Sequence, residues 1–335
     1  MTTGMVLGKF LPPHAGHCYL IDFARSFVDQ LTVVVGTLSS EPIPGRLRFE
    51  WMRELFESHG VRVVHLDQEL PQDPSEHPEF WRLWEEALRP LVPSKLDHVF
   101  ASEHYGWKLA EVLDATFIPV DIDRSIQPIS GTEIRSDPLA HWQYLPNVVR
   151  RHYLRRVCVF GPESTGKSTL ARQLAEHFQT AWVPEYARTL IESQHGQVSL
   201  EDMPKIARGQ VASQEAIASL ANRVLISDTD PLLTTIWSDW LFGQCSADVT
   251  ELANRCDHDL YLLTDVDVPW VDDQVRYAPN DRRKFFEQCE ATLQREHRHY
   301  VTVSGDWDQR WRIAVNAINQ LMGTPASEGS RLGLR

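Results

Sequence analysis

Near the middle of this 335-residue chain stands Gly161-Pro-Glu-Ser-Thr-Gly-Lys-Ser168, which carries the spacing G-x-x-x-x-G-K-[ST]. Glycines at 161 and 166 let a backbone fold round a phosphate with its N–H groups inward. Lys167 brings a positive charge to the β- and γ-phosphates, and Ser168 offers a hydroxyl to Mg²⁺. Glu163, Ser164, Thr165 and Thr169 belong to the same cradle. Two later segments supply carboxylates. Pro184-Glu185-Tyr186-Ala187-Arg188 brings a carboxylate and an arginine beside the phosphates, and Ser227-Asp228-Thr229-Asp230 ends an apolar run as a metal-binding strand does. Asp228 is placed to share Mg²⁺ with Ser168, while Asp230 either faces the substrate or caps the next helix. Glu185 is the candidate to orient an attacking hydroxyl and take its proton, with Asp228 and Asp230 as rivals. Further on come Trp270 and Asp273, candidate substrate contacts, and then Arg276 and Arg282 in a polar stretch that reads as an arginine-bearing lid over ATP.

The front half has its own candidates. Gly8, Lys9 and Phe10 lead to His14-Ala-Gly-His17, two imidazoles at the start of a helix, where free N–H groups already favour an anion. Ile129-Ser130-Gly131-Thr132-Glu133-Ile134-Arg135 puts a capping hydroxyl, from Ser130 or Thr132, together with Arg135 against one phosphate. Arg46 and Arg48, on a helix between these segments, either reach a phosphate or are ordinary charges of the helix surface.

Positioning these groups requires strands that end at loops and helices that begin there. Met5–Phe10, Leu31–Val35, Val61–Leu66, His98–Ala101 and Phe117–Val120 are short β-prone runs separated by helical spacing at 19–27, 46–58 and 79–91. The same alternation resumes with Val157–Phe160, Thr180–Val183, Val224–Ile226 and Leu260–Leu263. Continuous apolar strands alternating with helices predict parallel sheets covered on both faces. The expectation is α/β: two doubly wound parallel-sheet domains, an N-terminal Rossmann-like domain over 1–150 and a C-terminal P-loop domain over 151–324, packed closely. Residues 325–335, small and polar, predict a disordered tail.

A formal net charge of −13 argues against a nucleic-acid or membrane-surface protein, so anionic ligands must be met by local groups. Five cysteines without a C-x-x-C pair fit reduced thiols, and there is no leader-like or membrane-spanning run. The expected location is the cytoplasm.

The front segments together read G-x-F-x-P-x-H-x-G-H and I-S-x-T-x-x-R, and so resemble the nicotinamide mononucleotide (NMN) adenylyltransferases of the nucleotidyltransferase superfamily. The resemblance implies attack of the NMN 5′-phosphate on the α-phosphorus of ATP to give NAD, with charge supplied by Mg²⁺, His14, His17, Lys9, Ser130 and Arg135. The second half resembles the ribosylnicotinamide kinase domain of the bifunctional NadR family, on the segments at 161–168, 184–188, 227–231 and 269–273. Adenylyltransferase first and kinase second is that family's order. The resemblance implies ATP and Mg²⁺ as cofactors, nicotinamide riboside, NMN and NAD as ligands, and a homo-oligomer. Some members carry an N-terminal helix-turn-helix domain, which this sequence does not show before its first strand, so DNA binding is not expected. Two alternatives stand beside this reading. One is a kinase whose front domain is a degenerate, regulatory nucleotide binder, and the other is an NAD/ATP sensor acting through a partner protein.

Overall fold

The computed structural model describes residues 1–256, 258–269 and 281–323, and these divide into two compact units, the second beginning at Tyr153. The first unit holds β1 (Thr3–Gly8), α1 (Ala15–Phe27), β2 (Gln30–Thr37), α2 (Gly45–Phe56), β3 (Arg62–Asp67), α3 (Phe80–Leu88), β4 (His98–Ala101), α4 (Tyr105–Val112), β5 (Thr116–Pro119) and α5 (Gly131–Ser136). Its five parallel strands lie in the order β3-β2-β1-β4-β5. The chain runs outward from β1 to β3 and then returns to β1's other side. That reversal leaves a crevice beyond the carboxyl end of β1, between the loops that follow β1 and β4. Val33, Val34 and Val35 are wholly buried, as expected for a strand covered on both faces.

A helix, α6 (Asn147–Tyr153), leads into the second unit: β6 (Arg155–Phe160), α7 (Lys167–His177), β7 (Trp182–Val183), α8 (Tyr186–Ser193), α9 (Met203–Ala218), β8 (Val224–Asp228), α10 (Pro231–Phe242), α11 (Ala247–Arg255), β9 (Leu260–Thr264), α12 (Arg282–Arg295), β10 (Tyr300–Val303) and α13 (Trp307–Gly323). The order is β10-β9-β6-β8-β7, again all parallel, with β6 at the reversal. Val157 to Phe160 are 0 % exposed, so the glycine-rich loop that follows springs from a fully buried strand segment. Both sheets are the doubly wound α/β type that the alternation predicts.

Some elements differ from expectation. The strand expected at 180–183 is only Trp182–Val183, because Thr180 turns its hydroxyl onto the Val224 carbonyl, 2.5 Å away. The α4, α11, β10 and α13 elements add to the expected set. All five cysteines are free thiols. No helix among the described residues is long and apolar enough to cross a membrane.

Candidate active sites

In the first unit a cavity of about 700 Å³ opens beyond the carboxyl ends of the strands. The loop after β1 forms one wall. Phe10, at φ 46, drops its ring into the core, where it is 1 % exposed and meets His17 edge-on at 5.0 Å. His14 caps α1: its Nδ1 accepts the Gly16 N–H at 3.1 Å, so the ring proton is left on Nε2. The His14 and His17 rings lie 3.8 Å apart. Burial pushes His14 down from 6.5 to about 4, with Arg124 adding to the fall. Burial, then His14 and Arg124, hold His17 well below the usual imidazole range. The sequence suggested positive charge from this pair; the site instead presents two neutral imidazoles, able to donate hydrogen bonds. His17 Nδ1 is buried and finds no hydrogen-bond partner among the described residues.

The second segment meets the first directly. The Arg135 guanidinium donates to the Leu11 carbonyl and, at 3.0 Å, to Thr132 Oγ1. Ser130 caps α5 as expected, yet its hydroxyl is engaged in a capping box, donating to Glu133 at 2.6 Å and accepting the Glu133 N–H at 3.2 Å. A phosphate here is therefore offered Arg135 and the N–H groups of the first helical turn, not the Ser130 hydroxyl. Lys9 lines the cavity and pairs with Glu41 at 3.0 Å. Arg48, expected on the helix surface, is 0 % exposed: it donates to the carbonyls of Ile43 (3.0 Å) and Lys9 (2.5 Å) and pairs with Glu41, bracing the loop from beneath. Arg46 is not brought to the cavity; it is largely exposed and pairs with Glu50 one helical turn on, at 2.7 Å. Arg124 is a cavity cation that sequence reasoning missed. Asp121, whose carboxylate accepts the N–H groups of Ile126 and Gln127 at 3.1 and 3.2 Å, makes the turn that carries it. An Asp-x-x-Arg-Ser turn before Pro128 was the available signal.

In the second unit a cavity of about 530 Å³ is lined by Glu163, Ser164, Gly166, Lys167, Ser168 and Thr169 on one side, and by Glu185, Arg188 and Asp228 on the other. The loop between β6 and α7 is held by its carbonyls. Lys167 Nζ donates to Pro162 O at 2.7 Å, Arg282 to Ser164 O at 3.2 Å, and Arg310, which is 1 % exposed, to Thr165 O at 2.9 Å. Three cations thus engage carbonyls of the turn, an arrangement that favours N–H groups turned to the cavity. Arg282 braces the loop, and the Thr165 hydroxyl is spent on Pro162 O and Thr264 Oγ1. Gly166, at φ 80, lies so close to Trp307 that a Cβ would stand 2.4 Å from its ring.

Strand register brings the carboxylates together. Val159 of β6 is opposite Asp228, and Val183 of β7 is opposite Ser227, so Glu185 emerges at the level of Asp228. Asp228 is 1 % exposed, and neither carboxylate oxygen has a hydrogen-bond partner among the described residues. Burial, and then the Glu185 carboxylate, push it up to about 7 against the opposing pull of Lys167, the nearby Ser168 hydroxyl and Arg188. The Ser168 hydroxyl lies close enough to favour the ionised form without reaching hydrogen-bond geometry. A buried carboxylate with two open oxygens beside a hydroxyl is a hard-oxygen donor set that suits Mg²⁺. Asp230 is elsewhere: it caps α10 by accepting the Leu233 N–H at 3.2 Å, accepts the Tyr261 hydroxyl at 2.8 Å, and is buried away from the cavity lining. Of the two alternatives for Asp230, the helix cap is the one its contacts show. Arg188 lines the cavity and pairs with Glu192 at 3.5 Å. Trp270, Asp273, Arg276 and the expected tail at 325–335 lie outside the described residues. Trp182, Trp237 and Gln210 are among the other lining residues, the last of them with no warning in the sequence.

Residues 156–310 match the AAA domain family. Beyond this, the trifunctional NAD biosynthesis/regulator protein NadR of Escherichia coli (strain K12) is 31 % identical over 347 residues, which cover 96 % of this chain and 84 % of that protein. The chain belongs to the NadR family. The NadR protein of Salmonella typhimurium (strain LT2) is 30 % identical over 345 residues, covering 96 % of this chain and 83 % of that protein. Two solved NadR structures share the fold at 22 % identity, each covering 98 % of both chains. One, in complex with NAD and AMP-PNP, has a TM-score of 0.76, and the other, in complex with NR, has 0.78. The NadR alignment therefore spans both units and both cavities.

Proposed function

We propose that the chain is a bifunctional NAD salvage enzyme, in which the second unit phosphorylates nicotinamide riboside with ATP and the first adenylylates the resulting NMN. The observation that carries this reading is that each unit gathers its own phosphate-binding residues into its own cavity at the carboxyl edge of its own sheet. The ligands named in the NadR structures, NAD with AMP-PNP in one and NR in the other, support it.

In the kinase step the riboside 5′-oxygen bonds to the γ-phosphorus as the bridge to the β-phosphate breaks, and ADP leaves. Lys167 and the inward N–H groups hold the phosphates in line. Glu185 orients the hydroxyl and accepts its proton late in a loose transition state. Ser168 and Asp228 would hold Mg²⁺, whose contribution when bound is to neutralise charge across the β- and γ-phosphates. Arg188 stands on the substrate side.

In the adenylyl step an oxygen of the NMN phosphate attacks the α-phosphorus of the second ATP, and pyrophosphate departs. No covalent intermediate on the protein is needed. Lys9, Arg124 and Arg135 meet the anionic oxygens, while His14 and His17 donate neutral hydrogen bonds that need no proton transfer as charge develops. Incubating purified protein with MgATP and nicotinamide riboside, and following NMN and NAD separately, tests the reading. NMN should appear and then NAD; ADP formation without any NAD would reduce the first unit to a regulatory binder.

A further inference from the structure

One buried side chain touches both carboxylate-bearing segments of the kinase cavity. Gln210, on α9, is 2 % exposed. Its Oε1 accepts the N–H of Tyr186, the residue after Glu185, at 2.8 Å. Its Nε2 donates to the carbonyls of Asp228 and Thr229, at 3.3 Å each. A single amide thus spans from the start of α8 to the end of β8. Only one amide orientation satisfies all three bonds, since an N–H lies on one side and two carbonyls on the other.

Two further features show that this junction is constrained. Thr229 sits at φ 69, a left-handed conformation that a β-branched residue adopts only when its surroundings impose it. Its N–H is held by the Val159 carbonyl at 3.1 Å and its own carbonyl by Gln210. Gly209, next to Gln210, lies under the Tyr186 ring so closely that a Cβ would be 2.1 Å from Cε1. The ring and the amide together fix where α8 begins.

We propose that Gln210, seated by Gly209, is a positioning residue that sets the separation of Glu185 and Asp228 for phosphoryl transfer. The proposal rests on the kinase reading of the second unit. Two carboxylates in one desolvated cavity repel each other, and without the amide the start of α8 is free to relax outward. ATP binding depends on the loop at 161–168, which Gln210 does not touch, so the effect belongs in kcat and not in affinity for ATP.

The test uses full-length protein with Gln210→Met, which preserves volume but removes the three hydrogen bonds, and Gly209→Ala, which improves helix propensity while crowding the Tyr186 ring. Both variants should lower kcat for riboside phosphorylation about 10-fold or more, with KM for MgATP changed by less than about 3-fold. Conversion of added NMN to NAD, carried by the other unit, should be unchanged. Amide hydrogen exchange over 184–190 should quicken in Gln210→Met while α7 exchanges as before. A Gln210→Met protein with kcat within about 2-fold of wild type overturns the positioning role, as does a loss that appears only as a raised KM for MgATP. If Gln210→Met does not fold, Gly209→Ala with unchanged kcat overturns it alone. Wild-type protein that leaves the riboside untouched overturns the kinase reading, and this proposal with it.

Discussion

The neutral imidazoles of the first cavity make stability depend on pH in a defined direction. His14 is 6 % exposed and falls from an ordinary 6.5 to about 4, chiefly through burial. The folded state therefore binds its proton less readily than the unfolded chain. Stability is complete above the unfolded value near 6.5 and drains away as pH drops toward the folded value near 4. Over that whole window the loss approaches ~3 kcal/mol, at ~1.4 kcal/mol for each tenfold change in proton affinity. Between pH 7 and pH 5 it is ~2 kcal/mol. His17 is shifted in the same direction and adds to the slope. The perturbation is His14→Asn, which keeps a capping side chain at the start of α1 but has no proton to bind. Amide hydrogen exchange in β1 and α1, corrected for the intrinsic pH effect, reports the opening free energy of the first unit alone. Wild type should lose ~2 kcal/mol more than His14→Asn between pH 7 and pH 5. Equal losses in the two proteins, or a wild type more stable at pH 5, would refute the assignment of a neutral, desolvated imidazole.

In the second unit, Glu185→Gln should lower kinase kcat by about 10²-fold or more, with the Mg²⁺ dependence near normal. Asp228→Asn should raise the Mg²⁺ concentration needed for half-maximal rate; a Glu185→Gln defect cured by extra Mg²⁺ would exclude the base assignment. Arg310→Met strips a buried cation from the carbonyls of Thr165 and Asp265 and from Asp267, and should destabilise the second unit by about 3 kcal/mol in denaturant melts. A loss under about 1 kcal/mol would mean that Arg310 is not what holds the loop.

Much of the fold was legible because local pattern and global architecture agree. Val33 to Val35 and Val157 to Phe160 announce strands covered on both faces, and the glycine-rich loops fall where such strands must end. α13 went unread, although Ala314, Ala317 and Ile318 recur at helical spacing and are part of its buried face. What could not be read depends on partners far away in sequence. Arg48 resembles its neighbours Arg46 and Arg53, yet it is buried, where the Lys9 carbonyl, 39 residues earlier, accepts its hydrogen bond. The sequence offers Ser130 as a phosphate-binding hydroxyl, but Glu133, three residues on, engages it. Asp228 and Asp230 are nearly adjacent, and strand register turns one to the cavity while Tyr261 and the Leu233 N–H hold the other. The charge state of His14 and His17 follows from burial, which residue spacing does not encode.

Two self-contained sites on one chain are the core of the account, and one variant tests them together. Lys167→Ala removes the cation of the glycine-rich loop from the second cavity, and Lys167 is not among the residues that line the first. With MgATP and nicotinamide riboside it should form neither NMN nor NAD; with MgATP and NMN it should form NAD at close to the wild-type rate. NAD made from the riboside by this variant, or no NAD made from NMN by the folded protein, would contradict the account.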